Sequence, residues 1–193
     1  MTTIFLDRDG VINENRDDYV KSWDEFRFLS GAREAIALLT KLEYEIIICT
    51  NQAAIAYGYL QVEDLEKIHS LMIREIKRYG GKIEKIYYCT HSKDDNCLCR
   101  KPRPGMLLQA RDERHVDMRD AIFIGDSISD LQAGIAAGVH VMLVLTGRGQ
   151  EQLRLYQQKE KVSFPVVRDL RHAVDLILES RAMQDPKIKP MHI

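Results

Sequence analysis

Short apolar runs alternate with longer amphipathic stretches along this chain. Ile4 to Leu6, Glu45 to Cys49, Ile83 to Tyr88, Ala121 to Ile124 and Val139 to Leu145 lack the polar alternation of a half-exposed strand. Runs of that kind are buried on both faces, as in a parallel sheet. Between them the apolar positions follow a helical period. Ala32, Ala35, Ile36, Leu39 and Leu42 mark a helix beginning near Gly31, with Ser30 placed to cap it. Leu65, Ile68, Met72, Ile76 and Tyr79 mark a longer helix from about Val62 to Tyr79, ended by Gly80-Gly81. Shorter helices are predicted over 105–114, 128–137 and 151–161. Phe164 to Val167 leads into a last helix, about Leu170 to Arg181, and the tail from about Asp185 is expected to be mobile. Strand and helix alternating in this way predict an α/β fold: three layers, a mostly parallel sheet with helices on both faces.

No repeat, low-complexity run or linker divides the chain, so residues 1–193 read as one domain. No insertion is long enough for a large cap domain, which implies an open site. The irregular segment from Glu14 to Phe28 is placed to cover the mouth of that site. Tyr19 and Trp23 within it read either as substrate contacts or as anchors to the core.

Composition narrows the function by exclusion. A hydrophobic fraction of 45% and a charged fraction of 30% are those of an ordinary globular protein. The formal net charge of −1 offers no basic surface for nucleic acid or membrane. No apolar run approaches the ~18 residues of a membrane span. Met1-Thr2-Thr3 leads straight into the first strand, so no signal peptide is expected, and a cytoplasmic monomer acting on a small molecule is.

The chemistry gathers at the ends of the predicted strands. Ile4 to Leu6 delivers Asp7 and Asp9, two residues apart, and then Gly10. Ligands of open α/β sheets bind at the C-terminal strand edge. Paired carboxylates there can divide the roles of nucleophile or metal ligand and general acid. An acidic turn is the alternative reading. The second strand ends in Thr50-Asn51-Gln52, a hydroxyl and two amides suited to a phosphoryl oxygen, or else an Asx-turn. The fourth ends in Gly125-Asp126, with Asp130 one helical turn further on. Asp126 with Asp7 could hold a hard cation such as Mg2+, with Asp130 in support, or these aspartates could simply cap the helix.

Cys89, His91, Cys97 and Cys99 follow the third strand within eleven residues. Three thiolates and an imidazole form a closed tetrahedral set, the pattern of a structural zinc site. The loop is long and poor in apolar residues, so a metal would supply order that burial cannot. Arg100 and Lys101 come directly after it, followed by Pro102, Arg103 and Pro104. The loop would thus position a guanidinium fork and an ammonium group.

Taken together, Asp7 to Gly10, Thr50, Lys101 and Gly125 to Asp130 resemble the motifs of the haloacid dehalogenase superfamily, over roughly residues 3 to 145. The Cys-His-Cys-Cys loop followed by Arg100-Lys101-Pro102 resembles its small capless, zinc-containing branch. That resemblance implies a Rossmann-like fold with a zinc-stapled loop. It also implies Mg2+-dependent phosphomonoester hydrolysis through an aspartyl-phosphate. Asp7 is then the nucleophile and Asp9 the general acid and base. Mg2+ is held by Asp7, the Asp9 main-chain carbonyl and Asp126. Thr50 and Lys101 hold the phosphoryl oxygens, and Asn51, Gln52 and Arg100 bind substrate. The branch acts on heptose 1,7-bisphosphate or histidinol phosphate. Lys101-Pro102-Arg103-Pro104-Gly105-Met106 and Asp18-Tyr19-Val20 favour the 7-phosphate of the sugar bisphosphate. Ala53, Ala54 and Tyr57 depart from that branch's usual Ser-Gly-Ile-Ala-Arg-Gly.

Overall fold

The structure, a computed structural model, describes residues 2–184. The tail expected from Asp185 lies outside the described residues. One six-stranded sheet carries the chain, with strand order β3-β2-β1-β4-β5-β6. Its strands are β1 (Thr3–Leu6), β2 (Glu45–Asn51), β3 (Lys85–Cys89), β4 (Ile122–Gly125), β5 (His140–Val144) and β6 (Val166–Val167). Every neighbouring pair is parallel. The helices are α1 (Ala32–Lys41), α2 (Val62–Arg78), α3 (Gly105–Arg114), α4 (Ile128–Ala137), α5 (Gly149–Gln157) and α6 (Leu170–Gln184). Among the described residues, no helix is long and apolar enough to cross a membrane.

Strand alternation divides the core into two. Ile4, Leu6, Ile46 and Ile48 face a layer holding Ile36, Leu39, Leu65, Met72 and Val174, from α1, α2 and α6. Phe5, Ile47, Cys49 and Phe123 face the opposite layer with Met106, Leu107 and Ala133, from α3 and α4. Neighbours along a strand point to opposite faces, so one isoleucine run feeds both layers. Each such side chain contributes ~1.5–3 kcal/mol by leaving water.

Several boundaries differ from the pattern. The chain enters α1 through Gly31 at φ 75°, and no side chain caps the helix. Ser30 is therefore not the cap, because the left-handed turn that glycine adopts freely replaces it. Leu42 lies past the end of α1 and is exposed. Tyr79 lies past the end of α2, with the Arg33 guanidinium 4.1 Å above its ring. β2 runs on through Thr50 and Asn51, whose partners on β3 are Tyr88 and Cys89. α5 begins at Gly149 and ends at Gln157, since Gln158 to Lys161 are polar and exposed and nothing apolar holds a further turn. Val166–Val167, read only as a lead into α6, adds a sixth strand beside β5.

Candidate active site

All six strands point the same way, so their C-terminal ends share one edge. Asp7 extends β1 there, its N–H donating to the Ile124 carbonyl at 3.0 Å. Its Oδ1 accepts from the Arg8 N–H at 2.7 Å and lies 2.9 Å from Lys101 Nζ. Lys101 is 3% exposed. Its ammonium is also 2.6 Å from Asp130 Oδ1 and donates to the Cys49 carbonyl at 2.8 Å. An ammonium has three protons, and these contacts account for all of them. Asn51 fixes the Lys101 main chain from both sides: Lys101 N–H donates to Oδ1 at 3.1 Å, and Nδ2 donates to the Lys101 carbonyl at 3.2 Å. The Asn51 amide, expected to bind substrate, lines the cleft and also places the lysine.

Asp130 holds two positions at once. One oxygen meets Lys101; the other accepts from the Ser127 N–H (3.0 Å) and Oγ (2.8 Å), completing a capping box on α4. The capping and supporting readings of this residue describe one arrangement. Asp126 is cradled by the loop after β5, which carries none of the motifs described above. Its Oδ2 accepts from the Arg148 N–H at 2.8 Å. Thr146 Oγ1 donates to the Gly10 carbonyl at 2.6 Å, tying the loop after β5 to the loop after β1. A Cβ at Gly10 would fall 2.0 Å from Asp126 Oδ2, and one at Gly147 would fall 2.2 Å from it. Both glycines have positive φ. Only glycine allows these two loops to close on the carboxylate.

The cluster holds more acid than base. Burial pushes the Asp7 carboxyl up to about 8, with Lys101 pulling the other way and Asp130, Asp126 and Asp9 adding to the rise. Burial and Asp130 raise Asp126 to about 7, against the Arg148 N–H and Lys101. Burial disfavours the charged Lys101, but Asp130 and Asp7 more than offset it, so the ammonium is held well above its ordinary value. Oxygens of Asp7, Asp126 and Asp130 lie within 4.8 Å of one another. One Asp130 oxygen is ion-paired to Lys101 and the other accepts two hydrogen bonds from Ser127. Asp7 and Asp126 remain, and two carboxylates in a small oxygen-lined site fit Mg2+, which fills its other positions with water and phosphate.

Asp9 stands apart from this cluster. Both its oxygens accept from one Arg8 nitrogen, at 3.0 and 2.9 Å. Asn13 Nδ2 and Gln52 Nε2 each add a bond of 2.8 Å. Burial pushes Asp9 up, but the guanidinium and these bonds prevail and hold it below the usual carboxylate range. With its carboxylate so occupied, Asp9 has only its main-chain carbonyl to offer to a metal. Gln52, expected to bind substrate, lines the cleft and bridges Asp9 and Thr50 Oγ1 (2.9 Å). The hydroxyl proton of Thr50 is left for an oxyanion. Arg8 and its partner His69 had no assigned role. The imidazole is buried and held down to about 3 by burial and by the guanidinium, which keeps it neutral.

Cys89, His91, Cys97 and Cys99 converge as expected. Their sulfur–sulfur separations are 3.2 to 3.6 Å, and His91 Nδ1 lies 3.5 and 3.3 Å from Cys89 and Cys99. Ligands at ~2.3 Å from a tetrahedral zinc lie somewhat under 4 Å apart, so the set fits that ion. Arg100 donates to the His91 carbonyl at 3.0 Å, and Arg103 to the Cys97 carbonyl at 2.8 Å. The loop therefore holds both cations at the cleft.

That cleft encloses about 600 Å³, with Asp7, Asp9, Asp126 and Lys101 on its lining and Arg16, Lys93, Arg100, Arg103 and Arg148 around them. Tyr19 lines it too, while Trp23 stacks on Phe26 at 5.0 Å and packs against the core. Tyr19 packs against the core as well, so both aromatics anchor the segment and only Tyr19 also faces the cleft.

A family model described as HAD-hydrolase-like matches residues 98–173. The chain is 43% identical over 153 residues to a D-glycero-beta-D-manno-heptose-1,7-bisphosphate 7-phosphatase of Neisseria meningitidis, covering 79% of this chain and 82% of the relative. It is 41% identical over 148 residues to the D-glycero-alpha-D-manno-heptose-1,7-bisphosphate 7-phosphatase of Campylobacter jejuni, covering 77% and 84%. The crystal structure of D,D-heptose 1,7-bisphosphate phosphatase from Bordetella bronchiseptica, complexed with magnesium and phosphate, superimposes with a TM-score of 0.89. It shares 38% identity and covers 93% of this chain and 99% of that one. Sequence, fold and strand-edge chemistry agree: the chain belongs to the heptose-1,7-bisphosphate 7-phosphatase family of haloacid-dehalogenase-like hydrolases.

Proposed function

We propose that this protein removes the 7-phosphate of D-glycero-D-manno-heptose 1,7-bisphosphate, through an aspartyl-phosphate on Asp7. The observation that carries the reading is the Asp7–Lys101–Asp130 ion-pair chain beside Asp126, at the floor of a cleft rimmed with cations. Asp7 attacks phosphorus with the oxygen that Lys101 does not hold. Asp9 gives a proton to the departing sugar oxygen, then takes one from the water that cleaves the intermediate. Lys101 trades one of its contacts for a phosphoryl oxygen, and the Thr50 hydroxyl donates to another. Mg2+ held by Asp7, Asp126 and the Asp9 carbonyl would neutralise phosphoryl charge. Zinc at the Cys-His-Cys-Cys set would shape the loop, with no open position for chemistry.

The rim supports a second phosphate on the substrate. Arg100 and Arg103, anchored on the zinc loop, and Lys93 suit an anion. Histidinol phosphate would ask for acidic groups around its ammonium, and the cleft's basic rim opposes that.

Phosphate release with Mg2+ from each anomer of the bisphosphate, beside histidinol phosphate, tests the reading. A strong preference for the bisphosphate is expected, and Asp7→Asn should abolish turnover while circular dichroism shows an intact fold. Preference for histidinol phosphate would overturn the substrate, and turnover by Asp7→Asn would overturn the mechanism.

A further inference from the structure

Between the two motif aspartates lies a fully buried cation. Arg8 is 1% exposed. One terminal nitrogen meets both oxygens of Asp9 at 3.0 and 2.9 Å, and the other lies 3.1 Å from Nε2 of His69 on α2. Its Nε has no hydrogen-bond partner among the described residues. A guanidinium only donates, so His69 must accept through Nε2 and keep its proton on Nδ1. Burying a charge is unfavourable unless it is paired, and this one has a single carboxylate partner. Asn13 and Gln52 complete a ring of donors around that carboxylate. Both Asp9 oxygens accept, which is the arrangement of a carboxylate that has already given up its proton.

We propose that His69 and Arg8 form a positioning relay for Asp9, setting how well the enzyme cleaves esters of poorly departing alcohols. The inference rests on the phosphatase reading above. In the first half-reaction an Asp7 oxygen bonds to phosphorus as the phosphorus–ester oxygen bond breaks. The leaving oxygen keeps that electron pair and takes a proton that Asp9 has first picked up from water. Arg8 stabilises the Asp9 carboxylate so formed. In the second half-reaction that carboxylate takes a proton from water, the hydroxide adds to phosphorus and the bond to Asp7 breaks. His69 holds the fork in plane, so that it meets Asp9 with both hydrogen bonds.

An alkoxide departs poorly without a proton, whereas a nitrophenolate departs unaided. The test is the single-turnover rate of ester cleavage for heptose bisphosphate and for p-nitrophenyl phosphate. Arg8→Met should slow cleavage of the sugar ester ~100-fold or more and of the aryl ester less than about fivefold, the range of lost acid catalysis. His69→Leu should show the same split to a smaller degree. His69→Gln, which keeps an acceptor, should recover much of that loss. Should Arg8→Met fail to fold, the two His69 variants carry the test alone. Equal losses on both esters would show a merely structural pair and overturn the relay, as would no loss on either. A wild-type enzyme that releases phosphate from neither ester would overturn the phosphatase reading as well.

Discussion

Replacing Lys101 by methionine isolates the contribution of one buried charge, because the side chain keeps its approximate volume and loses only its ammonium. In the native site Nζ lies 2.9 Å from Asp7 and 2.6 Å from Asp130. At an effective dielectric constant near 20 each pair is worth about 6 kcal/mol of direct attraction. Desolvation of the ammonium offsets much of this, and removing one partner from a buried pair typically costs ~3–5 kcal/mol. For a chain of this size each kcal/mol moves the melting temperature by ~2–4 °C, so a fall of about 6–20 °C is expected. The assay is thermal unfolding of both proteins at pH 8 in magnesium-free buffer. Without the ammonium, Asp7 keeps a folded pKa above its ordinary value. The stability it contributes is present when it is protonated and lost as pH rises. The gap between the proteins should therefore narrow at pH 5. Melting temperatures within about 2 °C of each other at pH 8 would refute the account of Lys101 as the counter-charge that holds the site together. Phosphate release should fall by ~10²–10³ in the same variant, the cost of losing one preorganised charge at the transition state.

The same electrostatics predict a pH-dependent effect of magnesium. Asp7, at about 8, and Asp126, at about 7, lie above the ordinary value of 3.8, so the stability of the metal-free protein should decline as pH rises through that window. Mg2+ should then raise the melting temperature more at pH 8 than at pH 5, and equal shifts at both would contradict it. Gly147→Ala would place a methyl group 2.2 Å from Asp126 Oδ2 at φ 56°, and calorimetry should find Mg2+ binding weakened ~10-fold or more. Unchanged affinity would show that the loop after β5 does not position the ligand. Cys97→Ser should lower zinc from about one per chain, expose residues 89–99 to protease and slow phosphate release as Arg100 and Arg103 lose their anchors. Full activity in zinc-free protein would remove the loop from any account of the cleft.

Asp7, Thr50, Lys101 and Asp126 were legible because each follows an apolar run or a stiff, metal-tethered approach, and parallel strands bring such ends together. Asn51 and Gln52 were located correctly, but their partners were not legible. Whether an amide meets substrate or the Lys101 main chain depends on a loop fifty residues away. Arg8 shows a different limit. Its type and place were plain, yet its burial follows from α2 presenting His69 beneath β1, and neither helix period nor motif spacing encodes that pairing. Thr146 and Gly147 were not legible, because a glycine's function lies in what packs against it. Ser30 failed as a cap for a local reason: Gly31 offered the chain a conformation that made the hydroxyl unnecessary.

The place of β1 in the middle of the sheet has a consequence for how the protein is made. Thr3 pairs across to Glu45 on one side, whereas Ile4 must wait for Ile122 on the other. β1, made before the other five strands of the sheet, is therefore among the last to be enclosed. A nascent chain that ends before β4 carries β1 with one edge of unpaired N–H and C=O groups, and it carries Asp7 and Lys101 without Asp126 or Asp130. Sheets assembled from such distant segments fold slowly and expose unpaired edges while they wait. β1 is thus a strand that waits more than a hundred residues for its second neighbour, from Ile4 to Ile122. No fragment shorter than the loop after β5 can assemble the cradle around Asp126.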